Sequence, residues 1–264
     1  MQTFINLLPF LENPDRIPTF LTEWQGGIEV SMDGPRWNEN VDLKREKGVF
    51  AQYTGGIGVH LPIFELDIAN ARHAVIRNYS VEEYARSIEW AAEIGAKHAV
   101  LHTHLYNNPL YSKKLSQQYA VENIAILAQK AEQCGVQLLV ENVGFHSMML
   151  FDEEEFVSLF ERISSIQALV DTGHAHINGW SIPRVIEKLG ERLGAVHLHD
   201  NDGVRDLHQT IEEGTIEWQP VWDALGKLKH DWKAIIEYKE GTDAQKVIDD
   251  AQLIHGLVAG AVVQ

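Results

Sequence analysis

The sequence predicts a (β/α)8 barrel in a single domain spanning residues 1–264, and three observations predict it. Eight short β-branched or apolar runs alternate with longer amphipathic stretches, the pattern of a parallel sheet built from βα units. The chain has 264 residues, 45% of them hydrophobic, which supplies a substantial core and matches the usual length of one such barrel. No Gly-x-Gly-x-x-Gly turn follows the first run, which weakens the alternative of an open, dinucleotide-binding sheet.

The first two strands are expected near Thr3 to Leu7 and Gly27 to Ser31, and the third near Ile57 to Leu61. The helical pattern between the second and third, around Val41 to Tyr53, is weak, so that connection is expected to be mostly loop. The fourth strand is placed at Ala99 to His102, with Ser80 as N-cap of the preceding helix because Val81-Glu82-Glu83 follows it. The fifth is placed at Gln137 to Glu141 and the sixth at Ala168 to Asp171, with Asp152 opening the helix Glu153-Glu154-Glu155 between them. The seventh and eighth follow at Ala195 to His199 and Ala234 to Glu237. Gly95, Gly135, Gly190 and Gly194 stand between helical stretches and the next strand, where a left-handed cap is expected.

Composition narrows the function classes. The formal charge of −16 argues against a broad grip on nucleic acid, which relies on a lysine and arginine surface. The loops Asn107 to Lys114 and Asn201 to Arg205 also carry few positive charges. No apolar run approaches the ~20 residues of a membrane-spanning helix, and Met1 to Pro18 lacks the basic start of a signal peptide. The single cysteine, Cys134, has no intrachain partner, so a disulfide framework is excluded and a cytoplasmic location is expected. The apolar stretch Leu257 to Val263 is expected to pack on the barrel or against another subunit of a homo-oligomer.

In a barrel the chemistry gathers at the C-terminal ends of the strands. Strands three to eight end in His60, His102, Glu141, Asp171, His197 and Glu237, six consecutive metal-ligand residue types. Taken singly, His60 or His102 reads as an ordinary hydrogen-bonded histidine. Glu141, Asp171 and Glu237, however, each follow apolar strand residues, where a carboxylate is costly unless it is paired or metal-bound. Among basic residues only Lys239 lies close to these motifs. Imidazole and carboxylate together suit Zn, Mn, Co or Fe, and one cysteine cannot build a sulfur site. His174, Asp206 and His208 lie just beyond the strands as further candidate ligands. His199 shares the inward face with His197 by strand alternation and is assigned first to substrate contact, with His174 as a second candidate. His104, His146 and His176 fall in loops on the same face, whereas His73, His230 and His255 read as structural.

The stretches ENVG, VDTGHAH and HLHDNDGVRDLHQTIEEGTIEW resemble the xylose isomerase-like TIM-barrel superfamily over about His60 to Glu237. That superfamily contains sugar and sugar-phosphate isomerases and epimerases together with the endonuclease IV type of DNA-repair enzyme. The resemblance implies a metal-binding quartet of Glu141, Asp171, His197 and Glu237. Its endonuclease IV branch would add His60 and His102 beside Glu141, and His174, Asp206 and His208 around a third ion. One to three divalent ions (Zn, Mn or Co) are thus expected. The implied activity is isomerisation or epimerisation of a small carbohydrate through a metal-stabilised enediolate, with Glu141 and Glu237 as the catalytic proton-transfer pair. The alternative is phosphoester hydrolysis on a multinuclear zinc cluster.

Overall fold

The computed structural model describes residues 1–37, 40–104 and 108–261. Its eight strands are β1 (Gln2–Asn6), β2 (Gly27–Ser31), β3 (Ile57–His60), β4 (His98–Leu101), β5 (Gln137–Glu141), β6 (Gln167–Asp171), β7 (Leu193–Leu198) and β8 (Lys233–Ile236). All neighbours pair in parallel and β8 closes onto β1, so the sheet has no edge. This is the (β/α)8 barrel that the alternation of the sequence predicts. Helices α1 (Ile17–Glu23), α2 (Leu43–Phe50), α3 (Ala74–Glu93), α4 (Lys113–Cys134), α5 (Glu153–Arg162), α6 (Thr172–Ile177), α7 (Ile182–Leu189), α8 (Trp218–Gly226) and α9 (Ala244–Ala261) occupy the connections.

Among its described residues the connection after β2 is mostly irregular, as expected, and holds one helix of 8 residues, α2, because the Asp42 side chain accepts from the amides of Lys44 and Arg45 and satisfies the orphan donors of the first turn. Two local expectations are corrected. Ser80 does not cap a helix: α3 begins six residues earlier, and Ser80 is buried inside it, donating to the Ile76 carbonyl and accepting from the Asp67 amide. Gly194 lies within β7 rather than in a cap, and it is needed for close approach, since a Cβ there would stand 2.7 Å from the Leu139 side chain. Asp152 does cap α5, in a full capping box with Glu155.

Alternation along the strands sets the interior. Phe4, Val100, Leu139, Leu169, Ala195 and Ile235 form a separate buried cluster. Two residues further along each strand the same inward parity gives Asn6, His102, Glu141, Asp171, His197 and Glu237. The apolar plug therefore sits beneath a polar layer at the C-terminal end of the barrel. The outer core packs helices on the opposite strand faces through residues such as Ile5, Val59, Leu101, Val140, Val170, Val196 and Ile236.

At the C-terminus, α9 runs through Leu257 and Val258; Val258 packs into the core while Leu257 is half exposed. Val262 and Val263 of the apolar stretch lie outside the described residues, as does Asn107. Among the described residues no helix is long and apolar enough to cross a membrane.

Candidate metal centre

A cavity of about 400 Å3 opens at the C-terminal end of the barrel, with His60, His102, Glu141, His174, Asp206, His208 and Glu237 among its lining. Another of about 470 Å3 lies by the N-terminal ends of β1 and β2, but it contains no carboxylate. The first is the candidate site. Its other walls are largely apolar, including Leu8, Leu11, Ile63, Phe64, Phe145 and Leu207, and Lys239 is the one lysine or arginine of the lining among the described residues.

Glu141 stands at the centre. Its Oε2 is 2.9 Å from His102 Nε2, 3.4 Å from His60 Nε2 and 3.7 Å from His197 Nδ1, and its Oε1 is 3.1 Å from His174 Nδ1. Asp171, at the end of β6, caps α6 by accepting from the His174 amide at 2.7 Å and also lies 3.7 Å from His197 Nδ1 through Oδ2. Glu237, one residue past β8, brings Oε2 to 3.0 Å from the same nitrogen. Glu141, Asp171 and Glu237 thus converge on His197 Nδ1 from β5, β6 and the end of β8.

The histidines are oriented from behind. His60 Nδ1 donates to the Leu61 carbonyl, His174 Nδ1 to the Asn142 carbonyl and His208 Nδ1 to the Glu237 carbonyl. A carbonyl only accepts, so each ring is fixed with its proton on Nδ1 and turns Nε2 toward a carboxylate. His197 is reversed: its Nε2 meets Glu29 at 2.9 Å, and its buried Nδ1 has no hydrogen-bond partner.

Asp206 and His208 reach the site on the long loop after β7. Asp200 organises that loop by accepting from the amides of Glu212 and Ile216 and from the Trp218 indole. Asp206 Oδ2 then lies 3.4 Å from His174 Nε2 and 3.1 Å from His208 Nε2, while its Oδ1 is buried without a partner. His199 is fully buried, donates Nε2 to Asp171 at 2.9 Å and stacks on His208 with ring centroids 4.0 Å apart. Like Asp171 and His197, it lies beneath the cavity-lining residues.

These donors fit a divalent cation. Four sets of three bring nitrogen or oxygen atoms within 4.8 Å of one another: His60/His102/Glu141, His60/His197/Glu237, Glu141/Asp171/His197 and His199/His208/Glu237. The donors are nitrogen and oxygen only, the buried His197 Nδ1 and Asp206 Oδ1 make no hydrogen bond, and His60, His174, His197, His208, Asp171 and Glu237 are each held by a further contact.

Electrostatics agree with this. Burial pushes the Glu141 carboxyl up, but the charges of His102 and His197 and the bonds from His102 and His174 outweigh it and leave it well below the usual range. For Asp171 burial is outweighed by His174 and His199, which hold it at about 2. Burial works against charge on His60 too, yet the bond and charge of Glu141 raise it to about 9; Asp206 does the same for His208, also to about 9. Both start from an ordinary 6.5, so their pairings contribute stability to the metal-free protein that is fully present below about pH 6.5 and lost as pH rises through about 9. A cation held by these groups would compete for the same nitrogens. Metal uptake at pH 7.5 is therefore expected to release protons, with affinity rising across that window. Calorimetry in buffers of different ionisation enthalpy checks this, and uptake without proton release contradicts it.

Several site residues escaped the sequence reading. Glu29, His98 and Asn6 form a buried layer directly beneath His197 and Glu237. Strand parity was the signal: 98, 100 and 102 share a face, as do 27, 29 and 31. Asp33, after β2, lines the cavity and accepts from the Ile63 amide; burial raises its pKa. Of the histidines expected in loops, His104 is buried and driven down to about 4 by that burial and His146 is exposed, while His176 lies within α6, not in a loop, and bonds Thr215.

Comparison with known proteins agrees with the architecture. The chain is 27% identical over 228 residues to an uncharacterized protein of Methanocaldococcus jannaschii, covering 86% of this chain and 82% of that one. It is 26% identical over 210 residues to a probable endonuclease 4 of Staphylococcus epidermidis, covering 72% and 68%. The crystal structure of a D-tagatose 3-epimerase-like protein superposes with a TM-score of 0.85 at 24% identity over 99% of this chain and 100% of that one, a likeness of fold. The profile of the family described as xylose isomerase-like TIM barrel matches residues 26–255, and the chain belongs to that family.

Proposed function

We propose that this protein is a divalent-metal-dependent isomerase or epimerase of a small, uncharged carbohydrate. One observation carries the reading: Glu141 and Glu237 approach His197 Nδ1 from opposite parts of the barrel, at 3.7 and 3.0 Å, on the floor of a cavity of about 400 Å3. A pair of carboxylates so placed can serve a substrate from two sides. One takes a proton from a carbon beside a carbonyl, and the other returns a proton to the opposite face of that carbon or to its neighbour. A cation held by Glu141, Asp171, His197 and Glu237 supplies the positive charge that acidifies the carbon-bound hydrogen.

The remaining residues suit a neutral polyol. Lys239 is the one lysine or arginine of the lining among the described residues, and Asp33 and Glu240 add carboxylates, which disfavours a phosphorylated substrate. The apolar wall excludes water from the reacting carbons and covers the hydrocarbon face of a sugar. The D-tagatose 3-epimerase-like fold neighbour supports this class. The test is carbon-bound hydrogen exchange in heavy water with a panel of ketoses and aldoses under Mn, Co, Mg or Zn, in wild type and in Glu141→Gln and Glu237→Gln. Exchange that persists at the wild-type rate in either variant overturns the assignment.

A second reading is favoured by a specific feature. Asp206 lies between His174 and His208 with Oδ1 unpartnered, more ligand capacity than the quartet requires. A multinuclear centre that hydrolyses phosphoesters would use it. Three ions per chain together with phosphoesterase turnover would establish that reading; one ion per chain removes its trinuclear form.

A further inference from the structure

Three of the candidate ligand histidines lean on backbone carbonyls, but His197 leans on a side chain, Glu29. Glu29 is fully buried in the middle of β2, beneath the cavity, and both of its oxygens are engaged. Oε1 is 2.9 Å from His197 Nε2 and accepts from Asn6 Nδ2, also at 2.9 Å. Oε2 is 2.9 Å from His98 Nε2. The same Asn6 amide group donates to Glu237 Oε1 at 3.0 Å, which leaves Glu237 Oε2 to face His197 Nδ1. Gly58 makes room for this layer: a Cβ there would stand 2.1 Å from the His98 ring.

We propose that Glu29, braced by His98 and Asn6, is a positioning residue that fixes which nitrogen of His197 faces the metal and strengthens it as a donor. The chemistry follows from the acceptor count. A carboxylate in that place can only accept, so His197 keeps a proton on Nε2, and Nδ1, facing the space among Glu141, Asp171 and Glu237, is the nitrogen free to give up its proton to a cation. The negative charge behind the ring raises the basicity of Nδ1, as a carboxylate behind a ligating imidazole does. Asn6 couples the arrangement to Glu237, so one buried layer sets the orientation of two of the four quartet members.

This inference rests on the metal-centre reading and is independent of the reaction assigned to it. Two substitutions separate its parts. In Glu29→Gln the new amide N–H2 can turn toward His98, whose buried Nδ1 has no partner and whose ring can shift its proton; His197 keeps an acceptor but loses the charge. Its affinity for Co2+, read by chelator competition, is expected to fall about tenfold. Glu29→Leu removes the acceptor as well, and the loss is expected to reach about a hundredfold, with altered visible absorption of the Co2+ complex as the imidazole donor is displaced. His98→Gln still donates to Glu29 Oε2 and is expected to bind Co2+ close to wild type.

Circular dichroism and thermal unfolding of the metal-free variants report folding separately. If the leucine variant does not fold, the glutamine variant decides. Wild-type Co2+ affinity and spectrum in the folded Glu29 variants overturn the inference while leaving the metal reading intact. A wild-type chain that takes up no divalent ion overturns both.

Discussion

Glu237→Gln protein is expected to turn over its sugar substrate at no more than about a thousandth of the wild-type rate, within the range that a lost acid–base group costs. The geometry gives the substitution two effects. Asn6 donates to Glu237 Oε1, so the glutamine must keep its carbonyl oxygen there and point its amide nitrogen at His197 Nδ1. That N–H caps the lone pair the quartet needs, and the group that could accept a proton from carbon is gone. Glu141→Gln is expected to be at least as damaging, because Glu141 faces His60, His102, His174 and His197. An amide nitrogen at either of its oxygen positions meets an imidazole. Turnover and metal content measured on the same preparations distinguish a lost base from a lost ligand, and full turnover in either variant contradicts the role given to the pair.

Removing the metal is expected to abolish activity without unfolding the chain. The carboxylates of the site already have partners: Glu141 has His102, Asp171 has His199, and Glu237 has Asn6. The centre is therefore preorganised, and far-UV circular dichroism is expected to be unchanged after chelation. Stability, however, should fall. An ion present at a thousand times its dissociation constant contributes about 4 kcal/mol, which for a domain of this size corresponds to roughly 8–16 °C in Tm. Re-addition of Mn, Co or Zn should restore both quantities. Chelated protein that keeps its activity contradicts the metal-dependent reading, and an unchanged Tm contradicts tight binding.

Much of this architecture was legible in the sequence because strand period and glycine punctuation are local signals. The eight strands and the six strand-end residues follow from the alternation, and the chain length and the missing Gly-x-Gly-x-x-Gly turn choose the barrel over an open sheet. What escaped were features that depend on contacts far apart in sequence. Ser80 resembles a cap, but its hydroxyl serves Ile76 and Asp67 inside a longer helix. Glu29 is separated from His98 by 69 residues and from His197 by 168, and only barrel closure brings them together. Its neighbours Ile28 and Val30 pack outward, so Glu29 itself had the inward parity that should have marked it. The position of His199 behind His208 likewise depends on the loop held by Asp200, which no spacing rule reveals.

The most direct test of the central claim is anomalous diffraction from crystals grown with zinc. A strong peak is expected about 2.0–2.2 Å from the carboxylate oxygens of Glu141, Asp171 and Glu237 and from His197 Nδ1. No peak among those four residues, or one contacted by His197 through Nε2 instead, would contradict it.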